Sequence, residues 1–155
     1  MNPLFLIQLA TAEPVKFELN SGVRMGYSYL PKSTLQSPHL MTLGYEQLHR
    51  IDSGTNVDFL ILANLSFKGM NQGVVRPSGH VLLGYQFRES FYFGVGPMVG
   101  FTRLEPEIDA KMSMILGAGW MIPMEGFSIP IQVGYVPDVN GEWSANLSTG
   151  MSWNF

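Results

Sequence analysis

Five side chains that could do chemistry stand in a pattern that could bring them together: Arg24, Glu46, Asp58, Gln86 and Arg88. Each lies on the polar side of a stretch in which apolar and polar residues alternate. Alternation with period two marks a strand, so the five are expected to face inward from four successive strands, all in the half nearer the chain termini. A buried carboxylate is costly unless it is paired. The expectation is therefore a structural ion-pair network that plugs a lumen and fixes register, with a polar gate or ion path as the alternative. His39, His49 and His80 are the only histidines. None stands in an H-E-x-x-H motif or beside a serine elbow, and all three fall near expected strand ends, where a headgroup-level position suits them. A lipid-modifying hydrolase using a rim His and Ser would need an acid partner that no spacing supplies. No catalytic residue, no metal ligand and no cofactor is expected.

The elements that would position these residues are strands from end to end. Alternation places them near 21–30, 39–50, 56–68, 81–88, 91–102, 110–121, 127–135 and 143–155. Gly, Asn and Pro make 69–79 a loop, while Glu89-Ser90 and Pro123 to Gly126 are short turns. In the third strand Phe59, Ile61, Leu65 and Phe67 oppose Asp58, Asn64 and Ser66. In the eighth, Trp143, Leu147, Met151 and Trp153 oppose Asn146, Ser148 and Ser152. Strands of about 9 to 11 residues suit a tilted crossing of the hydrocarbon layer, and an even number of them suits a single-chain barrel.

The solvent on the apolar side follows from the polar side. Of the 17 glycines, 11 fall on the more polar faces, among them Gly22, Gly84, Gly94, Gly117, Gly119 and Gly150. Gly, Ser and Asn coat a protein poorly against water, but they suit the inside of an eight-stranded barrel, where small residues leave room for fillers such as Leu60, Leu62, Tyr92 and Met98. Aromatic residues recur near strand ends on the apolar faces, as two interfacial girdles would require. Charged residues make up only 14% of the chain, against about 25% in ordinary globular domains. The net charge of -3 is scattered, so nucleic acid is excluded as a partner. Apolar runs are too short for a spanning helix. The fold class is thus all-β: an eight-stranded antiparallel up-and-down transmembrane β-barrel in the outer membrane of a Gram-negative bacterium, with outer-membrane lipid as its partner. The other fold consistent with the alternation is a soluble lipocalin-like barrel holding a ligand inside. Residues 1–12 read as the remnant of a secretory signal peptide and 13–155 as a single barrel domain. Shorter turns after the fourth and sixth strands put both termini on the periplasmic side.

The final run, Ser148-Thr149-Gly150-Met151-Ser152-Trp153-Asn154-Phe155, resembles the C-terminal signal of bacterial outer-membrane proteins. By that resemblance Gly150, Trp153 and Phe155 would be read by the barrel-assembly machinery, and the chain is similar to the small barrels of the outer-membrane protein A and X type. Pro97 and Pro130 fall inside the fifth and seventh strands, where each lacks a ladder N–H. They imply local bulges, or a weakened lateral seam flanking the sixth strand through which a small apolar ligand could leave the lumen. The functional classes that follow are membrane-structural, loop-mediated adhesive and small apolar-molecule transport, in that order; an enzyme is not expected.

Overall fold

The computed structural model describes residues 16–31, 37–88, 90–104, 107–137 and 143–154. The strands are β1 (Lys16–Tyr29), β2 (His39–Asp52), β3 (Val57–Lys68), β4 (Arg76–Phe87), β5 (Phe91–Leu104), β6 (Glu107–Pro123), β7 (Ser128–Val136) and β8 (Ser144–Asn154). Each pairs with its neighbours in sequence and β8 closes on β1, a closed up-and-down barrel with no sheet edge left in the ring.

Alternation decides which side chain goes where. Val23, Met25, Tyr45, Leu83, Val95 and Leu116 point out and stay exposed, while Leu48, Leu60, Leu62, Leu82, Tyr92 and Ile115 point in and are buried. A soluble barrel would bury the first set and wet the second. This molecule does the reverse over the whole ring, so its outer wall is made for lipid.

Several elements run longer than alternation alone indicated. β1 begins at Lys16, because Lys16 to Asn20 continue the ladder with β2 as far as Asp52. β4 begins at Arg76, where Lys68 lies opposite Arg76 and Phe67 opposite Pro77. The proline is tolerated near the start of its strand. β5 and β6 stay paired up to Leu104 and Glu107, within a stretch expected to be loop. Between β3 and β4 a 3-10 turn, Met70–Gln72, is held by left-handed glycines at Gly69 and Gly73. Its Asn71 side chain accepts the Met41 N–H at 2.9 Å and donates to the His39 carbonyl at 3.1 Å, so a turn completes the edge of β2 where β3 has ended.

The register fixes the tilt. Stepping at right angles to the strands from Glu18 meets Arg50, Leu60, Gly84, Gly94, Gly117, Gly134 and Asn146 and returns to β1 at Ser28. The path comes back ten residues further along (28 minus 18), which is the stagger that eight tilted strands need to close. Residues at one depth in the membrane are therefore offset by a little over one position per strand.

Candidate functional site

The lumen is the candidate site, and its chemistry is layered. At mid-depth the Arg24 guanidinium, through Nη2, donates to Glu46 Oε1, and the two side chains are only 3% and 4% exposed. Glycine makes the pair feasible: Arg24 lies between Gly44 and Gly150 on the adjoining strands, and Glu46 lies opposite Gly22. Two long side chains can then turn across the barrel toward each other. Tyr92 reaches up from β5, its hydroxyl beside Arg24. Its ring lies over Gly119, where any added Cβ would collide with it.

Below this level, toward the termini, Leu48, Leu60, Leu62 and Met121 form an apolar layer with Tyr92, while Leu82 of the same cluster stands level with the pair and Ile115 and Val136 lie on its loop side. Leu82 occupies the space that a side chain at Gly117 would take. Near the end of the barrel that carries the termini a second ionic group forms: Arg50 pairs with Glu18 and stands 3.9 Å from Asp58 Oδ2. Asp58 Oδ1 accepts the Ser53 N–H at 3.1 Å, and Gln86 lies directly opposite Asp58. On the loop side of Arg24 the lumen opens into a polar cavity of about 30 Å³, with Ser28, Thr42, Asn64, Ser66, Lys68 and His80 in its wall. Nearer the termini the buried side chains of Leu48, Leu60, Leu62 and Tyr92 occupy the lumen, as expected at this strand number.

The five residues singled out from the sequence are thus split. Arg24 and Glu46 meet; Asp58 and Gln86 are inward and buried but sit several residues nearer the termini, with the apolar layer between. Arg88 does not enter the lumen. β4 ends at Phe87, and Arg88 is exposed in the turn with φ 47°, its N–H bound to the Asn56 carbonyl. Arg50 and Glu18 complete the lower group. Arg50 shares the parity of Glu46 and was readable from the sequence, whereas Glu18 precedes the expected start of β1. His80 is corrected from the headgroup level to the cavity wall, because β4 starts earlier than its loop-like composition implies. His39 does lie at the outer rim, bonded to Tyr27 and against the ring of Tyr29.

The prolines also move. The β5–β6 and β6–β7 ladders run unbroken past Pro97 and Pro130. The interruptions fall one strand further out: β4–β5 skips from His80–Met98 to Leu83–Val95, and β7–β8 from Ser128–Ser152 to Ile131–Thr149. Register is the same on both sides of each gap, so no residue is inserted and neither site is a bulge. Of the terminal residues, Gly150 packs its backbone against the Val23 carbonyl, Trp153 pairs with Ser21, and Phe155 lies outside the described residues, as do residues 1–12.

Solved structures share this architecture. The crystal structure of Ail, the attachment invasion locus protein of Yersinia pestis, aligns with a TM-score of 0.59 at 14% identity, covering 90% of this chain and 97% of that one. The backbone structure of Ail in phospholipid bilayer nanodiscs aligns at 0.53 with 16% identity, covering 88% and 99%. The complex of Ail with the heparin analogue sucrose octasulfate aligns at 0.54 with 12% identity, covering 91% and 99%. No protein-family model and no curated protein matches the sequence. At these identities the likeness is one of fold, and it agrees with the inverted apolar surface: this chain is an eight-stranded antiparallel up-and-down β-barrel of the outer-membrane kind.

Proposed function

We propose that the chain is a closed-lumen barrel of the Gram-negative outer membrane that acts through what it displays at its loop end, as a structural and adhesive surface protein, and that it conducts nothing. The observation that carries this reading is the seal. The Arg24–Glu46 pair and, toward the termini, the Tyr92 ring with Leu48, Leu60 and Leu62 fill the middle of the lumen, and three inward glycines face filled space: Tyr92 over Gly119, Leu82 over Gly117 and Asn146 over Gly134. That favours display over transport of an apolar compound, and it leaves no room for a ligand held in the manner of a lipocalin.

The adhesive part rests on the β5–β6 hairpin. β6 pairs with β7 only from Leu116 onward, yet it pairs with β5 back to Glu107, so the hairpin stands above the neighbouring rim. A protein of the same fold, Ail, carries attachment and invasion in its name. The orientation with both termini periplasmic puts this hairpin outside the cell, and recognition of Gly150, Trp153 and Phe155 by the assembly machinery delivers the barrel to that orientation. The test has two arms. In planar lipid bilayers the refolded chain should give no stepwise conductance. Displayed on otherwise non-adherent bacteria, it should bring about binding to host cells or matrix that is lost when residues 101–110 are replaced by a short turn. Stable conductance steps, or no adhesion with the intact barrel at the surface, would each defeat the corresponding half.

A further inference from the structure

The cavity on the loop side of the Arg24–Glu46 pair has a charge problem. Lys68 and His80 line it, and Arg76 lies directly opposite Lys68 on the next strand. Among the described residues no carboxylate lines it. Glu46 is engaged by Arg24, and Glu18 and Asp58 are gathered around Arg50 at the far end of the lumen, so among the described residues neither Lys68 nor Arg76 has an acidic partner. Among the described residues the buried nitrogens Arg24 Nε and Nη1, Arg76 Nε and His80 Nε2 have no hydrogen-bond partner. His80 is within electrostatic reach of both Lys68 and Arg24. Uncompensated positive charge in a narrow, partly apolar interior is expensive, and unused donors add to the cost.

We propose that this cavity is a binding site for a small monovalent inorganic anion of halide size. Lys68 supplies the charge, the unused N–H edge of Arg24 and the His80 ring nitrogen supply directed donors, and the Asn64 amide and the Ser66 and Thr42 hydroxyls complete the shell. Size sets the ligand class. A volume of about 30 Å³ has room for water-sized spheres and so for a chloride or bromide ion. The site is independent of any adhesive role, because it lies inside the wall.

The probe is chloride itself, read by the 35Cl NMR linewidth and by thermal unfolding of the barrel in a zwitterionic detergent, with sodium gluconate holding ionic strength constant. Saturable line broadening and a saturable rise in melting temperature in chloride but not gluconate are expected, following the binding linkage. Lys68→Met should abolish both responses and melt higher than the wild type in gluconate, since it removes the uncompensated charge. Asn64→Asp should also abolish them by placing a carboxylate in the shell, and it covers the case in which Lys68→Met does not fold. Heat-modifiable migration on gels certifies folding of each variant. Absence of broadening with the wild-type barrel overturns the proposal, as does a chloride response that persists unchanged in the folded variants, which would place the ion on the surface.

Discussion

Removing Glu46 should be the most damaging single change in the lumen, and the structure says by how much. Glu46→Ala deletes the carboxylate bound to Arg24 and leaves a guanidinium that is 3% exposed, with Nε and Nη1 already unpartnered among the described residues. Arginine cannot shed its charge. Stranding one member of a buried pair costs about 3–5 kcal/mol, whereas replacing both with apolar side chains of similar volume is close to neutral. Glu46→Ala should therefore lower the stability of the folded barrel by about 3–5 kcal/mol, and Arg24→Met with Glu46→Leu should recover most of that loss. Urea titrations in micelles, followed by tryptophan fluorescence and checked by heat-modifiable gel migration, give the free energies through the linear extrapolation. The reasoning fails if Glu46→Ala costs less than about 1 kcal/mol, the range of a solvent-screened pair. It fails equally if the double variant is as unstable as the single one, for then the residues act through packing and not through charge.

Other outcomes follow from other parts of the wall. Gly119→Val drives a side chain into the Tyr92 ring and should cost about 1–3 kcal/mol by overpacking, with Tyr92→Ala relieving part of the clash in the double variant. Val95→Arg places a charge at the mid-depth of the lipid-facing wall and should cost about 2–4 kcal/mol, against about 0–1 for Phe17→Arg at the end of β1, when both are unfolded from lipid vesicles. Arg88→Gly should stabilise by about 0.5–1 kcal/mol, since Arg88 holds a left-handed φ in an exposed turn; a loss of stability would return Arg88 to the lumen network. Amide exchange should be faster at Val81 and Leu82, beside the Pro97 gap, than along the unbroken β5–β6 ladder.

What was legible in the sequence was the face of each residue. Period-two alternation sorts inward from outward with no knowledge of partners, which is why Leu60, Leu62, Tyr92 and Met98 were recognisable as fillers and Phe59, Val95 and Leu116 as wall. Strand ends were less legible. Pro77 and Gly79 look like loop residues, yet they continue β4 because β3 offers them a ladder, and His80 was misplaced with them. Tertiary pairing overrode local composition at those positions.

Depth is the quantity that alternation cannot supply. Two inward residues meet only if they share a level, and in a barrel with a ten-residue stagger the level slides at each strand crossing. Counting from the nearest turn puts Arg24, Glu46, Asp58 and Gln86 side by side; the register separates Asp58 and Gln86 from the Arg24–Glu46 pair and hands them to Arg50 and Glu18. The same offset strands Lys68 and His80 on the loop side with no acid lining their cavity among the described residues. The separation of charge along the lumen, acidic surplus toward the termini and basic surplus toward the loops, is thus a product of stagger acting on a nearly balanced sequence. A one-residue slip of β3 against β4 would turn Lys68 outward to lipid. The Ser66–Ser78 hydroxyl bond, 2.9 Å and buried directly beneath that lysine, is the local contact that resists it.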